Sequence, residues 1–285
     1  MKWGTILATL QDLDETFRKE GSSAWYRGHF CADWKLESGL HRHVGRYFAS
    51  IDMGLSEEGR VELLREEYKA IYHRFKTDAW PLLDSLDRSD WGLIFAMQHY
   101  GQPTRLLDWT ESIACATYFA LAPECLRCAQ AGDAAIWVLD PTRLNGENGV
   151  PHLIALDAST DNEKIRTRNW HPGWVSTKKT VPSIAVSPFF TNRRMTAQRA
   201  AFTLSGDSFL PLDVEFPKLA KEGRLVKVIL DAEAQSEARR FLSAAGVDAF
   251  AIYPDLHGLA MRHRAQNEEN MKLYAKWHPD KVIGS

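Results

Sequence analysis

The chain has no run of about 18 apolar residues, so no segment has the length and hydropathy of a membrane span. It opens on Met1-Lys-Trp-Gly-Thr-Ile-Leu-Ala-Thr-Leu and turns polar at once, through Asp12, Asp14, Glu15 and Lys19. That apolar stretch is too short to be the core of a signal peptide. Cysteine is scarce, with four in 285 residues. Cys31, Cys115, Cys125 and Cys128 agree with a reducing compartment, so the expected location is the cytoplasm, with no membrane partner. Cys125-Leu-Arg-Cys128 is a lone CxxC. Zinc would need two more ligands there and a redox motif would need a βαβ setting, so no metal is expected. Repeats, low-complexity segments and linkers are also lacking, and the chain reads as one domain over 1–285.

The most telling absence is of negative charge. Between Lys164 and Gly206 there is no Asp or Glu, but there are Lys164, Arg166, Arg168, Lys178, Lys179, Arg193, Arg194 and Arg199. With a net charge of −2 overall, these eight cations leave the rest of the chain near −10. Trp170, His171, Trp174, Phe189 and Phe190 are interleaved with them. Cations that pair with phosphates, beside aromatic faces that stack on bases, suit single-stranded nucleic acid or a dinucleotide. A solvated basic face over core aromatics is the plainer alternative. On the first reading Lys178, Lys179, Arg193, Arg194, Arg199 and Trp174 meet nucleic acid, with RNA favoured over DNA or protein.

What is present is ordinary for a globular protein, at 45 % hydrophobic and 25 % charged residues, enough to build a core. Apolar spacing predicts helices over 4–20, 57–76, 80–86 and 91–99, with Gly101 and Pro103 ending the last. A strand is expected over 24–28 and a short buried one at Leu106-Leu107. Thr110 is expected to cap a helix carrying Ile113, Ala116 and Ala120. Further strands are expected over 134–139, 184–186, 201–204, 225–230 and 249–253, with helices over 231–245 and 256–274. The class is α+β without regular βαβ alternation, with 1–100 mainly helical and 101–285 a mixed strand and helix core.

The densest polar cluster lies in Gln98-His-Tyr-Gly-Gln-Pro-Thr-Arg-Leu-Leu-Asp-Trp-Thr110. A strand running through polar residues into a helix N-terminus makes an anion site, although a hinge of satisfied core polar groups has the same spacing. Tyr26-Arg27-Gly28 is the second cluster: an Arg that can hold a phosphate, before a Gly that lets a ligand approach the backbone. Asp108 is either an acid or the ion-pair partner of Arg105. His99 is either a base or a structural residue at a helix end.

Together these pieces resemble the FRG domain family, named for its (Phe/Tyr)-Arg-Gly motif. Trp34-Lys-Leu-Glu-Ser-Gly-Leu40, Ala116-Thr-Tyr-Phe-Ala120 and Tyr253-Pro-Asp-Leu-His-Gly-Leu259 extend the likeness over roughly residues 20–262. His257 stands where that pattern usually has Asp. The pieces also resemble the split active site of ADP-ribosyltransferases. Tyr26-Arg27-Gly28 would be the first element, and Asp108-Trp-Thr110 with Ala116–Phe119 the second. Arg194-Met-Thr-Ala-Gln198-Arg-Ala-Ala-Phe202 would be the third, with Gln198 in place of the usual Glu.

That resemblance implies an ADP-ribosyltransferase-like mixed sheet, with NAD as co-substrate. It places Arg27, His99, Asp108, Thr110 and Gln198 in catalysis. It places Tyr26, Arg27, Gly28, Tyr100, Arg105, Thr110, Tyr118 and Arg194 around the dinucleotide. Arg27 would neutralise the diphosphate, Thr110 would position the ribose, and Tyr100 or Tyr118 would stack on the nicotinamide. Such an enzyme would serve as a bacterial toxin or phage-defence effector and meet an antitoxin or chaperone. A non-catalytic nucleic-acid or nucleotide-binding module would use the same basic window without needing an acid. A nuclease with His99, Arg27 and Arg105 around a phosphate is the third alternative, supported by neither a second His nor a carboxylate cluster.

Overall fold

The computed structural model describes residues 1–50, 54–121, 132–150, 152–156, 170, 181–208 and 210–278. Within them the chain is a mixed α+β protein, built on a seven-stranded sheet with order β4-β5-β6-β2-β1-β3-β7. The strands are β1 (Trp25–His29), β2 (Leu106–Thr110), β3 (Ala134–Leu139), β4 (Ile154–Ala155), β5 (Ile184–Ser187), β6 (Ala200–Leu204) and β7 (Leu225–Leu230). Every pairing is antiparallel except β4 with β5. The strand expected over 24–28 is present at Trp25–His29. As β1 it lies inside the sheet, against β3 over the register Trp25↔Leu139 to His29↔Ala135.

Three apolar clusters cover this sheet. Helices α1 (Trp3–Lys19), α5 (Ile113–Leu121) and α10 (Ala232–Ala244) pack Ile6, Ala116 and Ala234 against Tyr26, Ile136 and Val138. Helices α2 (Gly39–Ser50), α3 (Glu57–Ala79) and α4 (Asp90–His99) pack Leu40, Leu64, Tyr68 and Leu93 against Leu106, Ile184 and Phe202. Side chains alternate along a strand, so Leu106, Asp108 and Thr110 share a face, and the register Tyr26↔Thr110 puts Tyr26 on it too. Both helical layers therefore cover the same face and meet above the seam between β1 and β2. The third cluster, with Trp25, Leu107, Trp109, Trp137 and Leu139, lies on the opposite face. There α6 (Pro141–Glu147), α8 (Leu212–Glu215) and α9 (Pro217–Lys221) add Leu144, Leu212 and Leu219.

The local signals explain most ends. Ser89 caps α4 by accepting from Gly92 N–H at 3.0 Å, and Gly101 follows with φ +78. Asp231 caps α10 in the same way, accepting from Ala234 N–H at 2.9 Å. Four expectations need correction. Residues 249–253 form no strand: Asp248 accepts from Phe250 and Ala251 N–H, and nucleates the short helix α11 (Ala249–Ile252). Thr110 does not cap α5. It ends β2, and Ser112 accepts from Cys115 N–H at 3.3 Å. Residues 80–86 are not one helix, since two 3-10 turns occupy Trp80–Leu82 and Leu86–Arg88. Arg193–Ala197, read only as part of a motif, forms helix α7, capped by Asn192. The final helix, α12 (Leu256–Trp277), starts at an Asp255 cap as its Pro-Asp turn implies.

Candidate functional site

β1 and β2 are registered at a single pair, Tyr26↔Thr110. Beyond it β1 continues along β3 while β2 continues along β6. The sheet splits there, and over the split lies a cavity of about 420 Å³. Its floor is Arg27, Gly28 and Asp108. Phe95, Gln98 and His99 come from the end of α4, and Phe119 from α5. Arg194 and Met195 of α7, Gln198, Phe202 and Tyr253 form the far side.

Arg27 lies across the split. Alternation aims its side chain at the opposite face, yet its Nη1 donates to the Asp108 carbonyl at 2.6 Å and stands 3.7 Å from the Asp108 carboxylate. Its Nε donates to His29 Nε2 at 3.0 Å. The guanidinium is 18 % exposed, and Asp108 at 56 % is open to the cavity. Burial lowers the Arg27 pKa to about 10, against the opposing pull of Asp108, which leaves it cationic near neutrality. Burial, then the Arg27 charge, pushes His29 down to about 3, so it meets Arg27 as a neutral acceptor. Nothing in the residue spacing singled out His29; only its two-residue offset from Arg27 along one strand puts both on one side.

A second set of bonds holds Asp108 from α4. Gln98 Nε2 donates to Asp108 Oδ1 at 2.9 Å and Oδ2 at 2.8 Å. Thr104 Oγ1 donates to Gln98 Oε1 and accepts from Leu106 N–H at 3.1 Å. The expected Arg105–Asp108 pair does not form. Arg105 is fully buried away from the cavity, and its Nε donates to the Ser205 carbonyl at 2.8 Å.

The far side carries the second cation. Arg194 lies 4.5 Å from the Tyr253 ring centre, with its Nη2 3.4 Å from Asp255. Phe119 meets the same ring edge-on at 6.3 Å, and Phe95 stacks on Phe202 at 5.3 Å. Two aromatic walls thus flank a floor bearing Arg27 and Asp108. The imidazole of His99 is held below its ordinary value by burial and then by Arg194. Gln198 reaches this wall and donates from Nε2 to the Ile252 carbonyl at 3.2 Å.

Other expected residues are placed differently. The Thr110 hydroxyl donates to the Gln198 carbonyl at 2.5 Å and accepts from Ser112 N–H at 3.0 Å. It is 3 % exposed and lines the cavity, with its hydroxyl joining β2 to the end of α7. The Tyr26 hydroxyl is also turned away, donating to the Leu10 carbonyl. Gly28 serves packing as well as access: a Cβ there would meet Ala116 O at 2.0 Å and Ala120 N at 2.4 Å, both in α5. Tyr100 is 72 % exposed, edge-on to His99 and outside the cavity lining; Phe119, not Tyr118, provides the ring on α5. Arg193 and Arg199 are exposed. Lys178, Lys179 and Trp174 lie outside the described residues, as do Cys125, Cys128 and the rest of 164–169 and 171–180 in the acid-free window. Exposed His257 does not line the cavity. Among the described residues, no group of three or more His, Cys, Asp or Glu could hold a metal ion, and no helix is long and apolar enough to cross a membrane.

Fold and site together define an α+β protein with an aromatic-walled, guanidinium-bearing cleft over a split sheet. Residues 22–126 match the family model of the FRG domain. The matched segment supplies Arg27, Gln98, His99, Asp108 and Phe119. Arg194, Gln198 and Tyr253, across the cavity, lie beyond it. Comparison with curated proteins and with solved structures gave no match.

Proposed function

We propose that the cleft binds NAD and transfers its ADP-ribose to nucleic acid, with RNA the favoured acceptor. One observation carries this reading: a cation and a carboxylate, Arg27 and Asp108, sit together at a split in the sheet between two aromatic walls. Flat rings fit the walls, and the guanidiniums of Arg27 and Arg194 suit a diphosphate. The Asp108 carboxylate supplies the negative charge that Gln198 lacks, beside the cationic sugar that forms as nicotinamide leaves. The C–N bond breaks with its electron pair on nicotinamide, which departs neutral. The acceptor atom bonds to the sugar carbon, and its proton goes to His99, whose lowered pKa keeps it a free base at neutral pH. Exposed Arg193 and Arg199 beside the cleft favour an anionic acceptor.

The test is incubation with NAD labelled in the adenylate portion, together with RNA, DNA or protein. Nicotinamide release and label on RNA are expected, both lost in Arg27→Ala and Asp108→Asn. A second reading is non-catalytic nucleotide binding, favoured by the uncharged Gln198 and by the bonds Asp108 already accepts from Gln98. NAD bound but never consumed would establish it.

A further inference from the structure

The direction of one hydrogen-bond chain sets how Asp108 is presented. Leu106 N–H donates to Thr104 Oγ1, so the single hydroxyl proton of Thr104 is free to go to Gln98 Oε1. Thr104 is fully buried, which leaves water no part in that choice. With Oε1 accepting that proton, Nε2 faces Asp108 within 2.9 Å of both carboxylate oxygens, whereas a flipped amide would set Oε1 against the carboxylate. A backbone N–H of β2 thereby fixes a side chain of α4, which fixes a carboxylate of β2.

We infer that Gln98 is a positioning residue, locked by Thr104, that holds the Asp108 carboxylate beside Arg27 in the geometry the reacting ligand requires. Its kinetic consequence rests on the transferase reading; the hydrogen-bond lock itself does not. Gln98 acts through Asp108 and need not touch the transferred group. A merely structural tie between α4 and β2 would predict loss of fold in proportion to loss of turnover. Positioning predicts loss of turnover in a folded protein that still binds NAD.

The experiment compares Gln98→Met, Thr104→Val and Thr104→Ser in the full chain. Met keeps the volume of Gln98 without its amide, Val keeps the shape of Thr104 without its proton, and Ser keeps the proton. Thermal denaturation, NAD affinity by calorimetry and the rate of nicotinamide release are measured together. Gln98→Met and Thr104→Val should each lower kcat by 30-fold or more, with Kd for NAD within threefold and Tm within a few degrees. Thr104→Ser should stay within threefold of wild type. In parallel, NMR follows the Gln98 side-chain amide protons and the Asp108 carboxyl carbon. Two resolved, slowly exchanging amide signals are expected in wild type and Thr104→Ser, lost in Thr104→Val together with a shift of the Asp108 carbon. Unchanged kcat in Gln98→Met, or unchanged NMR signals in Thr104→Val, overturns the inference. A wild type that releases no nicotinamide overturns the transferase reading alone, since the NMR comparison still decides the lock.

Discussion

Arg27 Nη1 donates to the backbone carbonyl of Asp108 across the gap where β1 and β2 cease to pair. A guanidinium there satisfies a carbonyl that an ordinary sheet would satisfy with the next strand's N–H. Its fork reaches two acceptors in different directions, the Asp108 carbonyl and His29 Nε2, and so ties both edges of the split. Lysine offers one compact ammonium in place of that fork. Arg27→Lys should therefore behave like Arg27→Ala in function. Hydrogen bonds from a charged group contribute about 1.5–3 kcal/mol each, so a stability loss of that order and at least a tenfold weaker Kd for ADP-ribose are expected. Urea denaturation and calorimetry measure both. Ligand affinity within twofold of wild type would remove Arg27 from the site.

His29 and His41, both buried, give the protein a defined acid sensitivity. Folding lowers His29 from the ordinary value of 6.5 to about 3 and His41 to about 4, burial being the main cause for each. Below pH 6.5 the unfolded chain takes up protons at these residues that the folded chain refuses. Stability therefore falls as pH drops, and the loss runs from about 6.5 down to 3–4. Each histidine contributes a slope of about 1.4 kcal/mol per pH unit once its unfolded form is protonated. Denaturation midpoints measured from pH 7 to 4.5 should decline, and His29→Gln should flatten the slope by one histidine's share. A stability curve level across that range contradicts the assignment.

Gly28 tests packing rather than chemistry. A methyl group at this position would press into the α5 backbone at 2.0–2.4 Å, and main chain cannot swing aside as a side chain does. Overpacking of a filled interior costs about 1–3 kcal/mol, and backbone contact places Gly28→Ala at the upper end or beyond. A drop in Tm of several degrees, or loss of soluble protein, is expected. Wild-type stability would mean that α5 moves freely over β1.

This glycine shows what the sequence made legible. Tyr26-Arg27-Gly28 was marked by its residue types, and all three line the cleft, although the glycine's reason is the helix above it. Helices with long amphipathic faces, such as α1 and α3, were visible because burial selects every third or fourth side chain. β2 and β6 were visible as short apolar runs. The Ala249–Tyr253 run looked like a strand because five apolar residues fit either form, and the Asp248 side chain decides for helix. Arg105 and Asp108, three apart, suggested an ion pair, but Arg105 precedes β2 and is fully buried on the Ser205 carbonyl, while Asp108 opens to the cavity. Thr110 carried the right chemistry for ribose, while its hydroxyl partner, the Gln198 carbonyl, lies 88 residues away and leaves no trace in local pattern. Tyr253 entered the site only through tertiary packing against Arg194 and Phe119.

Arg199 is the one non-glycine residue with positive φ among the described residues, at 46. It links α7 to β6, and its carbonyl accepts from Glu111 N–H at 3.1 Å. The left-handed conformation costs an ordinary residue about 1–2 kcal/mol. Its ion pair with Glu111 spans 3.6 Å between two exposed groups and offsets little of that. Arg199→Gly should raise stability by about 0.5–1 kcal/mol after the extra entropy of a glycine in the unfolded chain. Urea denaturation reads the gain; a loss would show that the side chain contributes more than its exposed pair implies.

Arg194 separates phosphate recognition from ring recognition. Its guanidinium rests on Tyr253 and touches Asp255, so it is held at the rim without the deep burial of Arg27. A ligand phosphate would replace the long 3.4 Å contact to Asp255 with a charge-assisted bond. Arg194→Ala should then weaken ADP-ribose about tenfold, the size of one such bond, while nicotinamide, which has no phosphate, binds as before. The ADP-ribose Kd of wild type should rise with salt, and that of the variant should rise less steeply. Calorimetry with both ligands at two ionic strengths makes the comparison. Equal losses for ADP-ribose and nicotinamide would assign Arg194 to the shape of the wall, through Tyr253, and leave Arg27 as the phosphate-binding cation.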